Sequence, residues 1–341
     1  ASRYKSSVLG KTLPDLLNIM AAPEMDFVAL TKGHKNFRII DQDLNVVPTE
    51  GVQSTLAPGP KLLSRIERFG VTQEDIAWSD EQEPIVLRST KAKGQEVAEA
   101  VEYTDTQQTD TLRAEMNRIN AYLTQADISC KYHNTNPNDR YLRRIFNNNS
   151  FDQGGRLYGG FWQRLMSEIR YEHIRINNDM IAECDYGQMS ILLLYAEAEA
   201  QDQLPAGDLY DLTAYGIPQE CRPGIKKLMQ AIINSPDIPK RLPKGARKHI
   251  PTNISLKDIL TVIQKKHPVI YPLMTSNLGM HLFRKESDIL VDVLLTLQQN
   301  DVVALPIHDA VLVADEDNET AVRVMKEVFQ KHTGITPAVT T

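Results

Sequence analysis

A chain of 341 residues, 42% hydrophobic and 24% charged, has the composition of a globular protein able to bury a real core, which excludes a fibrous or disordered chain. No uncharged apolar run approaches membrane-spanning length and the first residues lack a signal-peptide core, so no membrane association is expected. Cys130, Cys184 and Cys221 are too scattered for a disulfide framework or a zinc site, which fits a reducing, cytoplasmic setting.

In chain order, residues 1–90 alternate short apolar runs with proline and glycine breaks, the pattern of a small α+β region without a recognisable motif. Polar, acidic residues 91–110 predict a linker or an exposed helix. Met116, Ile119, Leu123 and Ala126 then recur at helical spacing. Arg140, Arg143 and Arg144, interleaved with Tyr141, Leu142, Ile145 and Phe146, predict a second, basic helix after Pro137. Residues 149–160 read as a glycine-rich loop. Beyond it, 179–185 predicts a buried strand, 188–200 an apolar helix, 222–234 a basic helix and 281–299 an amphipathic helix. Residues 302–314 predict two strands around a tight turn, and 318–331 a closing helix. A strand, a helical insertion, a hairpin and a helix make an α+β arrangement.

The net charge of −6 argues against a nucleic-acid partner, but the charge is unevenly placed. Residues 1–139 carry 15 Lys/Arg against 20 Asp/Glu, whereas 222–250 carries eight Lys/Arg against one acid, Asp237. Phosphate binding depends on the local field, so this segment is a candidate polyanion site as well as an ordinary solvated loop. Phe161 and Trp162 read as core anchors, His249 and His267 as solvated side chains.

Asp185 falls where a strand gives way to a helix, and Asp309 at the turn of the hairpin. Packing requires neither, and both places can project a carboxylate into a cleft. Two carboxylates on adjacent strands suit a pair of Mg²⁺ ions roughly 3.5–4 Å apart, the arrangement for in-line phosphoryl transfer. Glu183, on the same strand face as Asp185, is a candidate auxiliary acid. An aspartate at a turn is also an ordinary turn former, so the residues alone leave both readings open.

Five short segments, in order, resemble those of family A DNA polymerases, the bacterial polymerase I class. Gly155-Arg156-Leu157 is similar to the segment preceding motif A, and Asp185-Tyr186-Gly187-Gln188 to motif A itself. Arg222 and Lys226 match the start of motif B, Glu286-Ser287-Asp288 the segment before motif C, and His308-Asp309 the centre of motif C. The resemblance covers roughly residues 154–330. It implies a right-hand palm with helical fingers and a small N-terminal domain: an N-terminal region at 1–110, a helical thumb-like segment at 111–150, and a palm at 151–341 with compact fingers inserted at about 200–280, without an exonuclease domain. Asp185 and Asp309 would be the catalytic ligands of Mg²⁺, with Mn²⁺ a possible substitute, and Lys226 would be catalytic beside the leaving pyrophosphate. Arg222, Tyr186, Gln188, Ser190 and Asn234 would bind the nucleotide, with Lys227 an alternative to Lys226. Arg156 and His308, together with Lys240 and Arg241, would bind the primer–template. The implied activity is that of a small DNA polymerase of a phage or mobile element, using nucleoside triphosphates and meeting replication proteins through residues 1–110.

Three departures qualify the resemblance. Ser190 stands where the family has the glutamate that helps exclude ribose. Gln230 and Asn234 replace fingers aromatics, and Ala310 replaces the last residue of His-Asp-Glu. These keep two alternatives open: a primase or RNA-synthesising polymerase with relaxed sugar selection, and a non-catalytic palm module that binds nucleic acid.

Overall fold

The computed structural model describes residues 13–33, 37–39, 46–48, 54–72, 83–92, 98–133, 135–235 and 237–341. The chain is α+β and divides into two compact units, Ala1–Gln82 and Glu83–Thr341. The first contains α1 (Leu13–Met20), β1 (Val28–Thr31), β2 (Phe37–Ile39), β3 (Val46–Pro48), β4 (Thr55–Pro58) and α2 (Pro60–Phe69). Here β1 pairs antiparallel with β4, and β2 with β3. Of the short apolar runs in residues 1–90, those at 28–30 and 85–87 fall in strands, and the second belongs to the other unit.

The larger unit opens with β5 (Ile85–Leu87) and α3 (Gln107–Gln125). Thr106 and Thr109 satisfy each other's backbone N–H groups and fix the start of α3, whose Leu112, Met116, Ile119 and Leu123 form one buried stripe. After β6 (Ile128–Cys130) come β7 (Arg143–Asn147) and β8 (Ser150–Tyr158). The basic helix expected at 139–146 is therefore absent, and the thumb-like segment 111–150 is helical only as far as Gln125. Arg144 and Phe146 alternate inward along β7, so an arginine that reads as a polar face is a core strut. Its buried guanidinium donates through Nε to the Gly155 carbonyl at 3.0 Å and to Ser287 Oγ at 2.9 Å, and pairs with Glu115 and Asp288. Arg140 is likewise internal, its guanidinium donating to the carbonyls of Leu123, Ala126 and Ile128.

The glycine-rich segment is strand rather than loop. Gly154 and Gly155 both hold φ +82°, and the β7–β8 register slips beside them, so the glycines bend a strand instead of ending it. The chain continues through α4 (Ser167–His173), β9 (Ile174–Ile176), β10 (Ile181–Tyr186) and α5 (Met189–Glu197). Next come α6 (Arg222–Ile233), α7 (Leu256–Lys266), α8 (Tyr271–Met274) and α9 (Gly279–Gln299). Finally β11 (Leu305–Ile307), β12 (Ala310–Ala314), α10 (Asn318–Thr333) and β13 (Val339–Thr340) close the unit. Its main sheet has the order β11-β12-β10-β13, all antiparallel. β12 is buried along its whole length, as a central strand should be. α9 packs against β8, α3, α5 and α10, joining the smaller sheet β5-β7-β8 to the helices. Among the described residues no helix is long and apolar enough to cross a membrane.

Candidate active site

The main sheet brings the two candidate aspartates together. Asp185, the penultimate residue of β10, pairs in register with Ala310, and Asp309 is the residue before it. Ile307 pairs with Ala310, so His308 and Asp309 alone form the hairpin loop, and His308 supplies its positive φ of +54°. The Tyr186 N–H reaches the Asp309 carbonyl at 3.4 Å, tying the loop to the end of β10.

Negative charge is concentrated at this corner. Burial first, and then Asp309, lift the Asp185 carboxyl from its ordinary range to about 6; Lys226 opposes the rise, while Glu183 adds to it. Lys226 belongs to α6, in the helical insertion between β10 and the β11–β12 hairpin. Glu183 is no free auxiliary acid, because Arg170 pairs with it at 3.1 Å.

A third acid enters from α9. Glu286, only 3% exposed, accepts from Arg156 Nε at 2.7 Å. Burial foremost, with the charges of Asp309 and Asp185, raises its carboxyl to about 7 despite Arg156. The Arg156 guanidinium also lies 3.8 Å from the centroid of Phe283. Phe283 and Glu286 are three residues apart on α9 and present one face, which holds Arg156 by a ring and an acid together. His308 is exposed at the loop tip; partial burial of its ring and then the charge of Arg156 push its pKa down.

The other expected site residues divide. Tyr186 is not a nucleotide contact: successive strand residues face opposite ways, and its side chain, 2% exposed, donates to the Met325 carbonyl at 2.6 Å and meets Phe329 in the core. Gln188 is occupied structurally, its Oε1 accepting from the Leu209 N–H. Ser190 is half-buried in the first turn of α5. Arg222 is already paired with Asp208, through Nε and through Nη2 at 3.2 Å, and lies 5.6 Å from the Tyr210 ring, so its charge is partly spent. Lys226 lies 5.9 Å from the same ring but, like Lys227, Lys240 and Arg241, has no carboxylate within ion-pairing distance among the described residues. Asn234 caps α6 by donating to Gln230 and lines a separate cleft of about 560 Å³ with Asn148, Gln153, Asn277 and Phe283.

Asp208, Tyr210 and His267 carry no motif, and the sequence singles out none of the first two. His267, expected in solvent, is fully buried, bridging Tyr195 Oη and the Leu209 carbonyl at 2.9 Å each, and burial lowers its pKa to about 4. Lys266 donates to the carbonyls of Asp208 and Asp211. These bonds fix the 208–211 loop beneath α6.

Among the described residues, no three His, Cys, Asp or Glu side chains are gathered closely enough to enclose a metal by themselves. The donor set is two carboxylates, and burial first, then the charge of Asp309, disfavours ionisation of Asp185. Such a set fits a hard divalent cation that fills its remaining positions with water and substrate phosphate, as Mg²⁺ and Mn²⁺ do. No protein-family model matches the chain, and no curated protein matches it either.

Proposed function

We propose that the larger unit is the palm of a template-directed nucleotidyltransferase that extends a primer. One observation carries this reading: a carboxylate at the end of β10 and a second in the adjoining hairpin loop come together at one corner of an antiparallel sheet, within the field of a lysine from the helical insertion that separates them in sequence. The order of the five polymerase-like segments is consistent with it.

In this reading Asp185 and Asp309 would hold Mg²⁺, which supplies charge neutralisation for phosphoryl transfer. Lys226 faces the polyphosphate and favours negative charge as it moves onto the leaving group. Glu286 and Phe283 orient Arg156 toward the primer–template, and the exposed part of the guanidinium is left to meet its acceptors. The bond from the primer hydroxyl oxygen to the α-phosphorus forms, the bridging α–β bond breaks, pyrophosphate departs, and the hydroxyl proton passes to water.

The small side chain of Ser190 leaves the sugar of the incoming nucleotide open, so deoxyribonucleotides and ribonucleotides are both candidates. Primer extension with each nucleotide set, on DNA and on RNA templates, tests the reading. Extension that requires both Asp185 and Asp309 is expected. Activity surviving in Asp185→Ala or Asp309→Ala refutes the assignment, and nucleic-acid binding without extension under any condition favours the non-catalytic module.

A further inference from the structure

The basic segment forms more than a solvated loop. Residues 239–250 are fastened to α6: a side chain at Gly224 would run into Ile250 at 2.8 Å and the Ala246 carbonyl at 3.0 Å, so the absence of a Cβ lets the segment lie directly on the helix. Ala246 and Ile250 are buried there, and Arg247 Nη1 donates to the Pro251 carbonyl at 3.1 Å. Lys240, Arg241 and Lys244 remain exposed, and Lys244 lies beside the cations of α6. Arg222, Lys226, Lys227, Pro243 and Lys244 line a groove of about 570 Å³. A second groove, of about 720 Å³, is lined by residues 239–244 and shares Pro243 and Lys244 with the first. Lys226, Lys227, Lys240, Arg241 and Lys244 are all exposed. The inner end of this track is Lys226, whose charge reaches Asp185.

We propose that this track is a binding site for free polyphosphate anions, carrying nucleoside triphosphates in and pyrophosphate out. The inference rests on the nucleotidyltransferase reading for its direction, since that reading sets Lys226, which lines the first groove, beside the leaving pyrophosphate. Its lining argues for a small anion. Prolines, aliphatic stems, Gln230 and cations make up the walls, and among the described residues no aromatic side chain lines them on which the bases of a passing strand would stack. Lys240 and Arg241 are thereby reassigned from the primer–template to the polyphosphate.

The test compares full-length wild type with the triple variant Lys240→Ala/Arg241→Ala/Lys244→Ala. A control removes three exposed cations elsewhere, Lys131→Ala/Lys257→Ala/Lys265→Ala. Equilibrium binding of inorganic tripolyphosphate and of pyrophosphate is measured by calorimetry at two salt concentrations, and primer–template binding by fluorescence anisotropy. Thermal unfolding of each variant verifies the fold. The track variant is expected to bind tripolyphosphate roughly tenfold more weakly, at a few tenths of a kcal/mol to 1 kcal/mol per exposed charge, with the control unchanged. Its primer–template affinity should stay within about twofold of wild type. Unchanged tripolyphosphate binding overturns the proposal, and if primer–template binding weakens instead, the track serves the nucleic-acid backbone. Because tripolyphosphate binding requires no turnover, a chain that adds no nucleotide but loses this binding in the track variant rejects the polymerase reading and retains the anion site.

Discussion

Glu286→Gln isolates the energetics of the acid cluster. The folded chain raises this carboxyl from 4.5 to about 7, which corresponds to about 3 kcal/mol at 1.36 kcal/mol per unit. A carboxyl raised on folding contributes stability that is fully present below its unfolded pKa and is lost as pH climbs through the folded value. The window is therefore pH 4.5 to 7, and at pH 8 the wild type carries the cost of a buried anion that Arg156 only partly offsets. Glutamine resembles the protonated acid and cannot ionise. Unfolding followed by circular dichroism in EDTA should give nearly coincident midpoints at pH 4.5, where the folded carboxyl is neutral and the unfolded one only half ionised. At pH 8 the variant should melt several degrees higher, since a unit of this size gains about 2–4 °C per kcal/mol. A variant that melts lower than wild type at pH 8 would show that the ion pair to Arg156 outweighs burial, and would refute the reasoning.

Asp185→Asn and Asp309→Asn should each lower primer extension by about a thousandfold or more. Mg²⁺ should raise the melting temperature of wild type at pH 8, by the equivalent of about 2.7 kcal/mol at a hundredfold excess over its dissociation constant, and this shift should vanish in Asp185→Asn. Phe283→Ala uncovers one face of Arg156 and should weaken primer–template binding by about fivefold, given roughly 1 kcal/mol for the lost cation–π contact, with little change in the Mg²⁺ shift. His267→Phe removes the bond to the Leu209 carbonyl and should cost about 1–3 kcal/mol in stability, accompanied by a higher KM for nucleoside triphosphate.

The two aspartates were legible because each sits where a strongly patterned element ends: β10 and the β11–β12 hairpin are short apolar runs, and a polar residue at their boundary stands out. The long helices α3, α6, α9 and α10 were legible for the same reason, their apolar spacing being sustained over several turns. Arg144 shows where such reading fails. An arginine buried by four partners from distant segments looks in sequence like a surface residue, and a strand that alternates Arg144 with Phe146 is easily read as a basic helix. Glu286 appeared only as part of a segment similar to a known motif; its role follows from burial and from Arg156, 130 residues away. Tyr186 adjoins a candidate ligand in sequence, yet the strand's alternation sends it to the opposite face. Residues 208–211 offered no signal at all, because their positions are set by hydrogen bonds to groups far away in the sequence, several of them made by their peptide groups.

That last arrangement determines where damage to the site would originate. The peptide groups of Leu209 are gripped from both sides: Gln188 accepts from its N–H, and His267 holds its carbonyl while its other ring nitrogen meets Tyr195. Asp208 and Tyr210, the neighbours through which Arg222 and Lys226 are set, inherit their positions from this grip. The identity of residue 209 then matters chiefly for filling space, so conservative exchange there should pass unnoticed. The sensitive positions are Gln188 and His267, 21 and 58 residues away along the chain. In a screen for lost activity, hits on the floor of the insertion would thus outnumber what their separation from the carboxylates suggests, and they would act by misplacing cations whose own codons are intact.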